Sequence, residues 1–206
     1  MVRDQRPEAV TGVTEVDGLV GSWVALEPLS PSNRSDVRRL DLIKQRTPNL
    51  GGVAVRREAS KSFGPAMLIR ATATEEALGL VENGEMTGYP GVAVVLIFVD
   101  TGRARPGMAM EAFAIYVRNV FASGARLVHI EVIEFNEPVL RMLHRIGVGQ
   151  QARLRHQMYT GGRFWDVLMF GFDAEQFKAI WSRYARILPG GNRKPAALGS
   201  RARPEL

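Results

Sequence analysis

YPGVAVVLIFVD, residues 89–100, contains the most β-branched run in the chain and ends on an acid. Such a run reads as a strand. Directly behind it stands RARPGMAMEAF, residues 103–113, which opens a helical pattern with Met110, Phe113, Val117 and Val120 on one stripe. A strand that feeds a helix through so short a loop leaves the first amides of that helix unpaired, beside roughly half a positive charge. Anions settle at such a place, phosphates above all. Gly107 lets the backbone approach a ligand closely. Pro106 lacks an N–H but fixes a φ suited to a first helical turn. Arg103 and Arg105 add two long cations. On chemistry alone the loop either turns the chain or holds something negative, and both readings stay open.

The rest of the chain supplies the surroundings. LVGSWVALEPLS, from Leu19, alternates as a strand. Ser32 to Lys44 reads as a helix, with Ser32 or Asn33 as cap and Val37, Leu40 and Ile43 at helical spacing. Pro48 and the Gly51–Gly52 pair break it. AMLIRATAT, ALGLVENG and the β-branched run form a meander of three strands. After the central helix come the strand RLVHIEVIEF and a short helix from Asn136 to Arg145, with Gly147 beyond its end. A hairpin then turns at Gly161–Gly162, and a last helix is opened by Asp173 with Gln176 in a capping box. This order predicts an α+β fold with a mixed, mostly antiparallel sheet and flanking helices. Residues 18–188 make one domain, between an unpatterned segment 1–17 and a basic Pro/Gly-rich tail 189–206; both ends are expected to be disordered.

Composition excludes several classes. Cysteine is absent, so neither disulfide nor thiolate chemistry is available. The three histidines, His129, His144 and His156, lack metal-ligand spacing, so no metal site is expected. No apolar run approaches the ~20 residues of a membrane helix, and residues 1–17 lack the apolar core of a signal peptide. A cytoplasmic protein with no membrane role is the expectation. The net charge of +6 invites a nucleic-acid reading. Half of that charge lies in the tail, where Arg193, Lys194, Arg201 and Arg203 face only Glu205. Nucleic acid is therefore not the expected partner. A homodimer is left open.

Strand, R-x-x-x-G-x-A turn, helix, strand and FNEPVLRMLHRIGV together resemble the GNAT-type acyl-CoA N-acyltransferase superfamily. Within it they are similar to the branch that acetylates the N-terminal amine of ribosomal proteins. Gly107, Ala109, Glu111 and Ala112 fall on that branch's turn, and Asn136, Gly147 and Val148 keep the spacing of its next motif. The resemblance runs over about residues 19–184. It implies a central sheet splayed at the acyl-CoA site and acetyl-CoA as co-substrate. It implies that Ile97, Phe98 and Val99 face pantetheine, and that Arg105, Gly107, Met108 and Ala109 cradle the diphosphate, with Arg103 as a second cation. The implied activity is transfer of an acetyl group to a primary amine, on a protein N-terminus or a small molecule, by direct attack in a ternary complex.

Amine acylation needs the nucleophile to lose a proton. Glu131 and Glu134, on the strand before Asn136, are the candidate bases. His129 and Glu82 lie on or beside the same strands. Asn136 is the candidate ligand contact, with a plain helix cap as its other reading. Tyr159 is the candidate acid for the leaving thiolate. Glu111 reads as structural, favouring the helix dipole or meeting Arg118; Asp166 reads as a brace for the last strand or the neighbouring turn, with contact to an acceptor amine as its other reading. Several positions depart from the branch. Ala104 stands where the turn has Gln or Arg, Val139 where Ser is common, Leu143 where other branches have a tyrosine, Val94 where a carboxylate is found, and Val148 where an aromatic follows Gly147. These departures support the alternative, a catalytically weak acyl-CoA-binding module with a regulatory or scaffold role.

Overall fold

The computed structural model describes residues 19–29, 38, 63–86 and 88–184. The expected helix at 32–44, the break after it, and both expected disordered ends lie outside the described residues. Described strands are β1 (Leu19–Val20), β2 (Val24–Pro28), β3 (Met67–Ala71), β4 (Ala77–Glu85), β5 (Val92–Val99), β6 (Leu127–Ile133), β7 (Gln150–Thr160) and β8 (Arg163–Phe172). The helices are α1 (Met108–Ala122), α2 (Glu137–Ile146) and α3 (Ala174–Tyr184). The strands form one sheet in the order β1-β2-β3-β4-β5-β6-β8-β7. Every pairing is antiparallel except β5 with β6. The chain crosses from β5 to β6 through α1, as a parallel connection requires.

One core cluster joins the three helices to a single face of the sheet. It holds Val24, Met67, Ile69, Ala93 and Val95 from the strands, Ala112, Tyr116 and Val117 from α1, Leu143 from α2 and Phe177 from α3. Aromatic rings continue it, with Phe172 stacked on Phe177 and Phe113 edge-on to Phe172. The other face carries Leu68, Leu80, Leu96 and Phe98. At the far end Ile133, Met158 and Val167 make a third cluster with Phe135 and Trp165.

The run LVGSWVALEPLS is not one strand. Leu19 pairs back onto Leu26, so the chain turns sharply at Gly21–Trp23. The cause is Glu111 on α1. Its carboxylate accepts the amides of Ser22 at 2.8 Å, Trp23 at 2.8 Å and Val24 at 3.1 Å. A Cβ at Gly21 would lie 2.7 Å from Ile115 Cδ1 and 2.8 Å from Glu111 Cδ, so a side chain there would push against this anchor. Glu111 is structural, as expected, but its partners are these amides and not Arg118, which is exposed. The central stripe of α1 is also wider than predicted. Met108, Ala112, Ala114 and Tyr116 are buried with it. Tyr116 is wholly buried; its hydroxyl accepts from Asn83 Nδ2 at 2.6 Å and donates to the Pro65 carbonyl at 3.1 Å. Burial, above all, pushes that phenol up to about 12.

Candidate active site

β5 and β6 pair at only three positions, Val92↔Leu127, Ala93↔Val128 and Val94↔His129. Both strands run on, β5 to Val99 and β6 to Ile133, each held by its other neighbour. They therefore part after Val94, and a fork opens toward their C-terminal ends. Backbone direction decides which residues face it. The Asp100 amide donates to the Leu78 carbonyl at 2.8 Å, and the Val92 carbonyl accepts from Met86 at 3.1 Å. Even-numbered residues of β5 thus turn their polar groups to β4, and the odd-numbered Val95, Ile97 and Val99 turn theirs to the fork. The backbone groups of Ile97 and Val99 therefore open onto the fork, where the resemblance places pantetheine. Phe98 does not. Its backbone belongs to the β4 ladder opposite Leu80, and its ring is buried in the cluster on the face away from the helices.

At the end of β5 the loop is fixed by Asp100. Its carbonyl accepts the amides of Arg103 at 3.1 Å and Ala104 at 2.9 Å, and its Oδ1 accepts Gly102 N at 3.0 Å. Gly107 caps α1 with φ 96°, a left-handed conformation that a β-carbon opposes. The Met108 amide folds back on the Arg105 carbonyl at 3.1 Å, and the Met108 sulfur accepts the Arg105 amide at 3.3 Å. Met108 is a buried staple of the turn, so its amide is not one of the open donors. The amides of Gly107, Ala109 and Met110 have no partner among the described residues. The two arginines separate. Arg103 is ion-paired with Glu76 and, at 3.6 Å, with Asp100, which turns its charge toward β4. Arg105 is exposed and has no ion pair among the described residues.

On the opposite arm of the fork, Asn136 takes the N-cap position of α2. Its backbone does the capping, with the carbonyl accepting from Val139 and Leu140 at 3.1 Å each. Its side chain makes no capping bond. The reading of Asn136 as a side-chain cap therefore has no hydrogen bond behind it. Glu131 is half-buried on β6 opposite Met169. Glu134 is committed elsewhere. Arg153 Nη2 donates to it at 3.2 Å. Asp166 accepts Arg153 Nε at 2.5 Å and the His156 amide at 2.9 Å. These bonds hold its carboxyl below the ordinary carboxylate range, the His156 amide contributing most, and raise Arg153 in turn. Asp166 is the expected brace. Tyr159 is 62% exposed at the tip of the β7–β8 hairpin, its ring against Phe164 at 5.0 Å. An open, water-bathed phenol gives no shielded path for a proton.

A separate pocket of about 310 Å³ lies between α2, α3 and the start of β7, lined by Gly147, Gln150, Gln151, Phe172 and Gln176. It sits level with the paired part of β6, below the fork. Among the described residues, no group of three His, Cys, Asp or Glu side chains is placed to hold a metal. No described helix is long and apolar enough to cross a membrane.

No family model matches the chain. The SPbeta prophage-derived uncharacterized N-acetyltransferase YokL of Bacillus subtilis (strain 168) is 26% identical over 102 residues, which span 49% of this chain and 58% of that protein. The match thus covers somewhat more than half the length of that relative. Three solved structures share the architecture. A GCN5-related N-acetyltransferase from Brucella melitensis superposes with a TM-score of 0.68 at 23% identity, over 89% of this chain and 90% of that one. RimJ of Mycobacterium smegmatis, solved with CoA-disulfide, gives 0.61 at 18% identity over 78% and 89%. The ribosomal L7/L12 alpha-N-protein acetyltransferase RimL, solved with coenzyme A, gives 0.64 at 13% identity over 78% and 99%. The forked sheet, the amide-lined turn and these superpositions agree: this chain has the fold of the GCN5-related N-acetyltransferases.

Proposed function

We propose that the chain is an N-acetyltransferase that moves an acetyl group from acetyl-CoA to a primary amine by direct attack in a ternary complex. The observation that carries this reading is the fork. β5 and β6 separate after Val94 and leave the polar edge of Ile97 and Val99 open, at the mouth of a turn with free amides. An extended amide-bearing arm pairs with such an edge as a strand would. A diphosphate suits the amides of Gly107 and Ala109, with Arg105 as the cation beside them. Arg103 is left out, since Glu76 and Asp100 hold it.

In the reaction the amine must be neutral when its lone pair attacks the thioester carbonyl. The N–C bond forms, the C–S bond breaks, and the amine's surplus proton passes to a base while the departing thiolate takes a proton from solvent water. Glu131, at the start of the fork, is the proposed base, directly or through water. Asn136 orients the bound thioester through its unused carboxamide. Glu134 and Tyr159 are left out on the geometry above. Positioning two reactants supplies more rate than one acid–base group, about 10⁵–10⁸ M in effective molarity against about 10²–10⁴-fold. A site with few chemical groups is thus sufficient.

Calorimetry with acetyl-CoA, followed by thiol release with a panel of amines and peptides, tests this. Saturable heat and amine-dependent thiol release are expected. Heat without thiol release from any amine would instead identify the acyl-CoA-binding module. No heat at all would end both readings.

A further inference from the structure

The cavity of about 310 Å³ between α2, α3 and the start of β7 has no part in the acetyl transfer. Its volume is that of a small-ligand site, about 300–1,000 Å³. Ile146, Val148, Phe172 and Ile180 form its inner wall, since the same four side chains also line an apolar void of about 20 Å³ deeper in the core. Its outer wall is made of amides. Gln151 is the extra residue of a register shift in β7 between Gln150 and Ala152. Such a bulge re-aims a side chain. A Cβ at Gly171 would lie 2.4 Å from Gln151 Oε1, so the carboxamide occupies the space that a side chain on β8 would take. Neither the Gln150 nor the Gln151 carboxamide is bonded to another described residue. Gln176 Oε1, from α3, accepts the Asp173 amide at 3.0 Å, which leaves its Nε2 to donate. Among the described residues, no ionisable or nucleophilic side chain lines the cavity.

A carboxamide presents a donor and an acceptor side by side and carries no charge. A ligand that answers it has the same pair, as an amide or lactam does. A charged ligand would enter a cavity with an apolar wall and no counter-charge, which is costly. With no acid, base or nucleophile at hand, the occupant is held and not transformed. We infer that this cavity binds a small neutral molecule bearing an amide or lactam edge, and that the molecule acts as an effector. Its route to the fork is α2, 10 residues long, or about 15 Å. Asn136 opens that helix at the fork, and Gly147, left-handed at φ 79°, closes it on the cavity wall. Leu143, buried between them, packs the helix on the core. A ligand seated between α2 and α3 therefore bears on the element that holds Asn136, and it and acetyl-CoA alter each other's affinity by the same factor. The effector role rests on the acetyltransfer reading; the binding site does not.

Uracil and nicotinamide serve as neutral probes, and orotate and nicotinate as anions built on the same rings. In amide NMR spectra the neutral pair should shift Gly147, Gly149 and Gln151 saturably, and the anions should bind at least about tenfold more weakly. Gln150→Leu/Gln151→Leu, which removes the amides and keeps the bulk, should weaken the neutral probes by about as much. Ala179→Phe adds a ring to the cavity wall from the exposed side of α3, and Gly149→Val adds a side chain whose Cβ meets no atom within 4 Å. Each should abolish the shifts while the rest of the spectrum keeps its dispersion. The calorimetric Kd of acetyl-CoA, measured with and without a saturating neutral probe, should change at least about fivefold with both ligands bound together. Shifts absent for both neutral probes, equally strong for the anions, or retained in both filled variants overturn the site. Exclusion of acetyl-CoA by the probe, or an unchanged acetyl-CoA Kd, overturns the effector role. Acetyl-CoA that gave no heat on its own would instead overturn the acetyltransfer reading, and the spectra would still decide the site.

Discussion

Asp100 and Asp166 each fix a loop by the same device. One carboxylate oxygen accepts a backbone amide and the other meets an arginine: Gly102 N at 3.0 Å and Arg103 at 3.6 Å for the first, His156 N at 2.9 Å and Arg153 at 2.5 Å for the second. The partners of Asp100 follow it within one turn of chain. Those of Asp166 stand on the neighbouring strand, brought there by a register shift. The first loop delivers a helix start with open amides, and the second delivers an exposed tip at the mouth of the fork. A loop closed on itself makes a stiff, self-contained receptor. A loop closed through a neighbouring strand can be altered without touching that receptor.

The comparison breaks most severely at the anchor beneath the first loop. Glu111→Ala leaves the amides of Ser22, Trp23 and Val24 without their acceptor. Each buried unpaired group costs about 1–3 kcal/mol, and Ser22 and Trp23 regain some water, so a loss of about 3 kcal/mol is expected in urea unfolding. Glu111→Gln, which keeps one acceptor oxygen, should recover part of it. A loss below about 1 kcal/mol would show that the β1–β2 turn does not depend on α1. Next in size comes Gly107→Val. A β-branched residue at φ 96° costs about 1–2 kcal/mol and places a side chain at the proposed diphosphate site. Acetyl-CoA affinity should fall at least about tenfold. If calorimetry found it unchanged, the diphosphate would not sit on this turn.

The second loop responds to pH. Asp166 titrates below its unfolded value, so the stability it contributes is fully present above that unfolded value, ordinarily about 4. It is lost as pH falls through the lower, folded value. Asp166→Asn should therefore flatten the acid limb of the stability curve, with a small loss of Tm at neutral pH and no change in acetyl-CoA affinity. An acid limb identical to that of the parent protein would remove Asp166 from the brace.

Local chemistry made the first loop legible. Strand, turn, glycine and helix follow one another in the chain, and Gly107 needs no distant residue to explain its conformation. The meander, the hairpin turn and the Asp173–Gln176 capping box were readable for the same reason; Asp173 N and Gln176 N each meet the other's side chain, at 3.0 and 2.8 Å. What the sequence hid depends on pairing across space. Periodicity cannot show that Glu111 reaches residues 22–24, or that Arg153 occupies Glu134. Nor can it show that Asn83 meets Tyr116 in the core, though a lone Asn in an apolar strand was a signal. The ends of β5 were half-legible: Ile97 to Val99 were placed at the fork, but only the hydrogen-bond direction of Asp100 shows that Phe98 turns its backbone to β4.

The smallest effect on stability is expected at Asn136, and it is informative because it is small. An Asn whose side chain caps a helix is worth about 1 kcal/mol. Asp173 is such a cap, and Asp173→Ala should lose about that much. Asn136 holds the cap position of α2 through its backbone alone, so Asn136→Ala should change unfolding free energy by no more than a few tenths of a kcal/mol. Under the proposed contact between the carboxamide and the thioester, the same substitution should lower kcat for acetyl transfer about tenfold. The two alanine variants therefore move opposite readouts. If Asn136→Ala were destabilised as much as Asp173→Ala and turned over normally, the carboxamide would be a helix cap, and that arm of the fork would lose its contact with the substrate.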